Sequence, residues 1–451
     1  MKLIKLSIFH SIRSLKRADH VRMFAIALPM VISNIAAPLL GLVDTAIIGH
    51  LPDSIYLSAV ALGAMAISFV YLMAVFLRMS TTGLVAQAYG AEDLARQKTV
   101  FVDASYFALG LGLCLFALTP AILFIVFQLV SASADLKQLT SSYVSIRLYG
   151  APAALLTLVI LGVLLGMQKA RIAMGLVILT NAINVVGDLI FVIGLNMDVR
   201  GAALASVIAE WCTAAVGLTV IIRHLRMSRR DWWQWNAARY RKLASMNTDI
   251  FIRSLVLHLC MAMMTAWASY HGQVVVAANA VLLQFLMLIS LGLDGIAYSV
   301  EALVGQAKGQ KQLANARKWI AAGLLWSSLF ALVYALLFAF AGTFIIGLIT
   351  NIPSVLREAS SYLGWIVVLP LLAHWSYLYD GVFIGLSASR AMRNTMLFAG
   401  VGVFFPVWWL TQGWGNHGLW FSLCCFMAAR GVAQAYLLYW RHLLERRFSH
   451  A

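Results

Sequence analysis

The amino-acid sequence predicts an all-α polytopic membrane protein with twelve transmembrane helices in two pseudo-symmetric six-helix lobes. Three observations predict this fold class: the composition, the spacing of the apolar runs and an internal repeat. Of the 451 residues, 62% are hydrophobic and 11% are charged, and the mean hydropathy is +0.87. Because a soluble domain typically carries about 25% charged residues, this composition excludes an ordinary soluble protein.

Twelve apolar runs follow one another along the chain, and each is long enough for a spanning helix, which needs about 20 mostly apolar residues. The first six are placed near residues 22–50, 56–88, 99–130, 138–166, 172–195 and 201–225. The second six are placed near residues 248–271, 276–307, 315–350, 354–388, 392–413 and 417–440. Together these runs leave only short loops and one longer basic connection.

The formal net charge of +16 reflects membrane topology. At and near the ends of the predicted spans, Lys and Arg concentrate in the two termini and the even-numbered connections, and only Lys137, Arg200 and Arg357 fall on the other side. By the positive-inside rule, both termini are therefore predicted to be cytoplasmic. We expect a multi-pass protein of the cell inner (plasma) membrane whose partners include the lipid bilayer but no nucleic acid.

Two segments repeat with the same displacement along the chain. LVAQAYG at 84–90 reappears as LVGQAKG at 303–309, and GVLLGMQKAR at 162–171 reappears as GVFIGLSASR at 381–390. A common offset in two separated segments indicates a duplicated bundle, as in many transporters with a substrate path between the repeats. Each repeat has an even number of helices, so the two are predicted to have the same orientation.

The repeat and the charge pattern divide the chain into five predicted segments. These are a cytoplasmic amphipathic segment at 1–21, a first lobe at 22–225, a cytoplasmic basic connection at 226–247, a second lobe at 248–440 and a cytoplasmic tail at 441–451. The first segment is basic and lacks the apolar core of a secretory signal, so it is predicted to lie on the membrane surface. Trp232, Trp233 and Trp235 in the connection favour the headgroup layer.

The first predicted helix contains Asp44, together with Pro29 and Pro38. A carboxylate inside a spanning helix costs about 2.5 to 3.5 kcal/mol on insertion scales and often marks a functional site. Proline removes a backbone hydrogen bond and kinks a helix. We therefore expect Pro29 and Pro38 to form a hinge in helix one.

Helices five and six carry polar stripes that could face Asp44. Thr180, Asn184 and Asp188 recur at every fourth residue, with Asn181 beside them, and Ser206, Glu210 and Thr213 have similar spacing. Two acids, an amide and hydroxyls in one pocket would make a proton or cation site, because neighbouring carboxylates disfavour joint ionisation. The alternative is a hydrogen-bonded cluster that only joins helices.

The second lobe offers different chemistry. Its polar candidates for substrate contact or for a structural role are Gln284, Asp294, Tyr298 and Asp380. The two aspartates could attract cationic compounds, or they could pair with Arg253 or Arg430 and hold helices together. Because the offset of the repeat places Met263 at the position equivalent to Asp44, the ion site is predicted in the first lobe alone.

Several longer motifs resemble the multidrug and toxic compound extrusion (MATE) family, nearer its DinF-type branch. They include PMVISNIAAPLLGLVDTAIIGHL at 29–51, QAYGAED at 87–93, NVVGDLIFVIG at 184–194, GAALAS at 201–206, AANAVLLQF at 278–286, LDGIAYSVEALVGQAKG at 293–309 and DGVFIGLSASRAMRN at 380–394. The resemblance implies a twelve-helix, two-lobe antiporter that exports amphiphilic compounds in exchange for protons or sodium. It also implies that Asp44, Asn184, Asp188 and Ser206 form the ion site with Tyr143, although Ser206 replaces the threonine common there.

We therefore expect a multidrug efflux antiporter that exchanges amphiphilic or cationic drugs or toxic metabolites for protons by alternating access. Protonation of the first-lobe aspartates would rearrange helix one. The absence of P-loop and HExxH patterns disfavours an enzyme, and we expect a functional monomer with no cofactor or metal besides the coupling H⁺. Sodium coupling is the close alternative; a lipid-linked saccharide flippase, which would need a cationic cavity, and a channel are others.

Overall fold

The computed structural model describes residues 13–49, 51, 53–129, 133–233 and 236–449, and within these ranges the chain is helical throughout apart from short turns. Most of the predicted amphipathic segment, residues 1–12, lies outside the described residues. Trp235 and the last two residues of the predicted tail also lie outside them. The predicted all-α fold is confirmed.

The described residues in the first half of the chain form nine α-helices. They are α1 (Arg17–Ile48), α2 (Ser54–Met73), α3 (Phe76–Gly90), α4 (Leu94–Ala117), α5 (Thr119–Leu129), α6 (Ala134–Leu148), α7 (Ala151–Gly166), α8 (Ala170–Asp188) and α9 (Asp198–Leu225). A π-helical turn, Leu189–Gly194, extends α8. A short 3-10 helix at Arg229–Trp233 then leads into the second half.

Eight α-helices follow. They are α10 (Ala237–Ala268), α11 (Gln273–Gly309), α12 (Leu313–Ile349), α13 (Pro353–Gly385), α14 (Ser389–Ala399), α15 (Phe405–Leu410), α16 (Asn416–Ala435) and α17 (Leu443–Ser449). Each of the twelve predicted apolar runs is thus helical over most of its described length.

Ten helical segments among the described residues are long and apolar enough to cross a membrane. The fourth predicted span is the pair α6 and α7, which bend by 48° around Gly150. The eleventh predicted span is broken into α14, a π-helical turn at Gly400–Phe404 and α15. Pro406 contributes to this break because it has no N–H to donate to the preceding turn.

The third predicted run, 99–130, is two helices and not one. α4 ends at Ala117 and α5 begins at Thr119 because Pro120 cannot donate to the Phe116 carbonyl, its partner in a continuous helix. The Thr119 hydroxyl donates to that carbonyl instead, at 2.6 Å. A single proline therefore explains the difference from the prediction.

By internal contacts the chain forms two compact units. The first unit comprises Ile32–Ala244, and the second comprises Ser245–Ala451 together with the residues up to Val31. Within the first unit α3 packs on α7 and α8 packs on α9, whereas within the second unit α11 and α13 make the most extensive helix pair.

The amino-terminal half of α1 belongs to the second unit, whereas the sequence prediction has residues 22–225 as one lobe. The grouping has a clear physical basis in polar contacts with α12. The Lys318 ammonium donates to Asp19 at 2.6 Å, and the Trp326 indole N–H donates to His20 at 3.0 Å. The rest of α1, which carries Asp44, groups with the first unit.

The duplication is visible in the backbone of each unit. Glu92 and Gln168 end two helices of the first unit in the left-handed conformation, with φ of 55° and 61°. Lys311 and Ser387, which stand at the equivalent positions of the repeat, do the same in the second unit, with φ of 58° and 50°. A residue in the left-handed conformation after the last turn ends a helix, because backbone N–H groups beyond the last turn can then donate to its free carbonyls. The repeated sequence thus specifies repeated helix ends.

Close helix contacts are duplicated as well. A methyl group at Gly162 would lie 2.7 Å from the carbonyl oxygen of Arg78, so α7 approaches the backbone of α3 directly. In the second unit, a methyl group at Gly381 would lie 2.4 Å from the carbonyl oxygen of Ala297. Both glycines are followed four residues later by another glycine, a spacing typical of closely packed membrane helices.

The connection at 226–247 packs against α4. The Tyr106 hydroxyl donates to the Trp232 carbonyl at 2.7 Å, and the Arg239 guanidinium donates to the Asp103 carboxylate at 3.0 Å. These bonds cross more than a hundred residues of sequence and fix the connection to the first unit.

Asp231 adds a further attachment at the same place. Its carboxylate accepts hydrogen bonds from the Ser228 backbone N–H at 2.7 Å and from the Lys98 ammonium at 3.1 Å. Because both donors favour the ionised form, they hold the pKa of Asp231 below its ordinary value. The carboxylate is therefore ionised at neutral pH.

Substitution Gly381→Ala should destabilise the protein, because the added methyl group would collide with the backbone of α11. Overpacking of this kind typically costs about 1 to 3 kcal/mol. Gly364→Ala is the matched control, since it lies on the same helix with nothing within 4 Å of the added methyl group. Thermal denaturation in detergent should show a lower midpoint for the first variant and an unchanged or slightly higher one for the second. Equal midpoints would contradict the close packing of α11 and α13.

Candidate functional site

The polar stripe of α8 lies inside the first unit. Asn184 and Asp188 are almost completely buried, with 2% and 1% exposure. Asp44 of α1 is half-buried beside them, and Ser206 approaches from α9. Residues four apart share one face of a helix, which explains why Asn184 and Asp188 reach the same place. The structure thus brings together four of the predicted site residues.

Asn184 is the centre of this cluster. Its amide is assigned from hydrogen-bond complementarity, which directs its nitrogen to Asp44 at 3.0 Å and to Asp188 at 3.3 Å. The amide oxygen then accepts from the Ser206 hydroxyl at 2.8 Å. We call these four residues the carboxylate cluster.

The carboxylate cluster has the composition of a proton-binding site. The carboxyl groups of Asp44 and Asp188 both contact the Asn184 amide nitrogen, at 3.0 and 3.3 Å, so they are close neighbours between which a proton could be shared. One oxygen of Asp188 has no hydrogen-bond partner in the structure. Oxygens of these two residues could also hold a monovalent cation. Within the described ranges, no group of three or more His, Cys, Asp or Glu side chains is arranged for a metal ion.

Two other predicted residues of α8 bond to neighbouring helices and not to the carboxylates. Thr180 shares a hydrogen bond with the Thr213 hydroxyl at 2.9 Å, joining α8 to α9. Asn181 donates to the Ala36 carbonyl of α1 at 2.9 Å. This second bond connects α8 to α1 two residues before Pro38. Both residues therefore hold the helices that carry the cluster.

A buried ion pair lies next to the cluster. The Arg147 guanidinium of α6 donates to Glu210 of α9 at 2.9 Å. Tyr143, one turn earlier on α6, is buried and lies within electrostatic range of Asp44 and Asp188. Tyr143 thus lies near the carboxylate cluster and its part in an ion site stays a prediction, whereas Glu210 pairs with an arginine.

Sequence reasoning did not identify two members of this region. They are Arg147 of α6 and Tyr71 of α2, whose buried hydroxyl has no hydrogen-bond partner among the described residues. The Arg147 guanidinium lies 5.9 Å from the centre of the Tyr71 ring, close enough for a cation–π contact. Arg147 could have been identified from the sequence because it is a charged residue within an apolar run. A tyrosine in such a run gives no comparable indication of a functional role.

The predicted hinge residues, Pro29 and Pro38, both lie within α1, which is one continuous helix in this structure. The boundary between the two units falls between them, at Val31 and Ile32. Their role as a hinge stays a prediction.

Asp380, a candidate for substrate contact or for structure, is the centre of a charge network in the second unit. It accepts hydrogen bonds from Arg253, from Arg430 at 2.6 Å and from Gln434 at 2.7 Å. Asp380 and the two arginines are all buried. The network links α10, α13 and α16, so these contacts favour the structural role.

The other candidates of the second unit lie along α11. Gln284 is exposed, whereas Asp294 and Tyr298 are half-buried. Asp294 lies within electrostatic range of the Tyr377 hydroxyl. Substrate contact by these three residues stays a prediction.

The chain is similar in sequence to a known protein family and to several of its members. The MatE family model matches residues 29–190 and 250–410. The chain is 41% identical to DNA damage-inducible protein F of Escherichia coli (strain K12), over 92% of this chain and 91% of that protein. It is 26% identical to Multidrug and toxin extrusion protein 1 of Homo sapiens, over 70% of this chain and 55% of that protein.

Solved structures show the same fold. A MOP superfamily transporter from Pyrococcus furiosus superposes with a TM-score of 0.83 at 19% identity, covering 94% of this chain and 96% of that one. A multidrug resistance MATE family transporter in an outward-facing conformation gives a TM-score of 0.83 at 20% identity, with the same coverage. Such transporters have twelve helices in two lobes. From the family match and the similarity over nearly its whole length, the chain belongs to the MatE family of membrane transporters.

Proposed function

We propose that this transporter exports amphiphilic or cationic compounds in exchange for protons by alternating access. The observation that carries the proposal is the carboxylate cluster, in which two buried or half-buried acids share one amide inside a membrane-spanning unit. The names of relatives such as Multidrug export protein MepA of Staphylococcus aureus support the substrate class. Family members are transporters and not enzymes.

The surroundings of the transporter are part of the same proposal. The basic termini and even-numbered connections support an inner-membrane location with both termini cytoplasmic. Because the chain holds two repeated units, one copy is sufficient for a transport path, and we expect a functional monomer. Besides the lipid bilayer, its partners would be the drug or toxic metabolite and the coupling ion, with no other cofactor.

The assigned orientation of Asn184 suits a proton shared between the two carboxylates. Its N–H groups point at the two carboxylates and its oxygen accepts from Ser206, so the amide presents a donor where a sodium ion would need an oxygen ligand. A proton shared between Asp44 and Asp188 keeps every one of these hydrogen bonds. In the other amide orientation Asn184 donates to the Ser206 hydroxyl at 2.8 Å, and its oxygen would face the carboxylates as a ligand for sodium.

Helix α1 connects ion binding to the transport cycle. When the pair is ionised, the two carboxylates repel each other across the contact between α1 and α8. Protonation removes this repulsion and allows the part of α1 beyond Pro38 to pack differently on α8. Residues up to Val31 are attached to α12 through Asp19 and His20, so the change in packing would be taken up between Pro29 and Pro38.

The available driving force is adequate for one proton per cycle. Moving one charge across 100 mV releases about 2.3 kcal/mol. This free energy corresponds to roughly a fiftyfold concentration ratio of an exported compound that carries no net charge. A single carboxylate pair is therefore sufficient for useful export.

Substitutions Asp44→Asn and Asp188→Asn should each reduce pH-driven export at least about tenfold, because neither variant can cycle a proton through the pair. Export of ethidium or norfloxacin is measured in vesicles under an imposed pH gradient. Asp135→Asn is the matched control, since this acid is exposed in the first turn of α6. Undiminished export by both cluster variants would remove the proposal. If the wild-type protein exports the compound under a sodium gradient at equal pH, sodium and not the proton is the coupling ion.

Asp380→Asn should impair folding more than coupling. Removing its charge leaves Arg253 and Arg430 buried without a counter-charge, which typically costs about 3 to 5 kcal/mol. We expect a large drop in the thermal midpoint, with proton coupling retained in the folded fraction, whereas Asp44→Asn should keep its midpoint. Normal stability with altered drug selectivity would assign Asp380 to substrate binding.

A further inference from the structure

The buried pair of Arg147 and Glu210 has no part in proton binding as proposed so far. Both side chains retain 11% exposure, and their charged atoms meet at 2.9 Å. A buried ion pair is weak evidence for stability, because apolar residues of similar volume often serve equally well. Its place beside the carboxylate cluster calls for another explanation.

The described titratable groups in this region come from six positions on five helices. They are Asp44 of α1, Tyr71 of α2, Tyr143 and Arg147 of α6, Asp188 of α8 and Glu210 of α9. Arg147 is the one cation in this set. Its partner Glu210 lies one helical turn after Ser206 on α9, and Ser206 contacts the Asn184 amide at 2.8 Å. The ion pair therefore lies close to the carboxylate cluster, and Arg147 brings a positive charge near both aspartates.

Glu210 is fitted closely into its position. A methyl group at Gly150, which follows α6, would lie 1.8 Å from one carboxylate oxygen of Glu210. That oxygen has no hydrogen-bond partner in the structure, so the contact with Arg147 is the main polar interaction of the side chain. The absence of a side chain at Gly150 leaves room for the carboxylate that holds the guanidinium.

A transporter must release its proton as well as bind it. Two neighbouring carboxyl groups in apolar surroundings hold a proton tightly, because burial and mutual repulsion both disfavour the ionised forms. A fixed positive charge nearby favours ionisation, and its effect reaches several ångströms where water is scarce. Arg147 is placed to supply this charge without itself binding to the carboxylates.

We propose that Arg147, fixed by Glu210, is a positioning residue whose charge allows the Asp44 and Asp188 pair to release its proton. The inference rests on the proposed function, in which this pair carries the coupling proton. Asn184 and Ser206 arrange the two acids, and Arg147 sets the pH range over which they exchange a proton. No bond to Arg147 is made or broken in the process.

The proposal is tested on the purified full-length protein by infrared titration of carboxyl groups. The relevant signal is the protonated-carboxyl band that is lost in Asp44→Asn and in Asp188→Asn. In the double variant Arg147→Gln and Glu210→Gln, the midpoint of this titration should move to higher pH by about one unit, as expected for loss of a nearby charge. Arg147→Lys, which keeps the charge, should stay near the wild-type midpoint.

Two further variants separate charge from structure. Asp103→Asn with Arg239→Gln removes another arginine and carboxylate pair of the same unit and should leave the midpoint unchanged. If the glutamine pair does not fold, Arg147→Met with Glu210→Leu removes the same charges with apolar side chains, which buried positions tolerate well. It should show the same alkaline shift.

The outcomes distinguish this inference from the proposed function. If the midpoints of the charge-removed variants coincide with that of the wild-type protein, Arg147 only joins helices and the inference is overturned, even where pH-driven export is normal. If the midpoint shifts but the wild-type protein does not export under a pH gradient, the proposed function fails, and the control of proton release by Arg147 stands.

Discussion

The central constraint on this protein is that acids buried in membrane helices must be partnered or neutralised. An unpaired carboxylate in apolar surroundings is costly, and four acids of the described helices meet that cost in two ways. Asp44 and Asp188 share the amide of Asn184, whereas Glu210 and Asp380 pair with arginines. The shared amide is a neutral partner for the first two acids, whereas the arginine pairs supply the others with a counter-charge.

The two units combine a duplicated backbone with different side-chain chemistry. Helix ends and glycine contacts recur at the offset of the sequence repeat, yet Met263 stands at the position equivalent to Asp44. The second unit instead contains the Asp380 network, which connects three helices. Duplication therefore kept the contacts that specify packing, whereas the carboxylate cluster lies in the first unit.

Much of the fold was predictable from the sequence because it depends on local patterns. Apolar runs and the repeat located the helices, and fourfold spacing placed Asn184 and Asp188 on one face. The partner of Arg147 was not predictable, since Glu210 is 63 residues away and helix rotation decides which charges meet. The break at Thr119 was missed for another reason: proline is common in membrane helices, and its effect depends on what replaces the lost hydrogen bond.

The left-handed helix ends also suggest where the protein has unused stability. Glu92, Gln168, Lys311 and Ser387 adopt this conformation without being glycine, and a side chain there costs roughly 1 to 2 kcal/mol in backbone strain. Glycine at these four helix ends would relieve the backbone strain without changing the buried acids. Part of the strain relief would be offset by the greater freedom of glycine in the unfolded chain. These four helix ends are thus positions at which a more heat-tolerant transporter can be engineered without changing its buried acids.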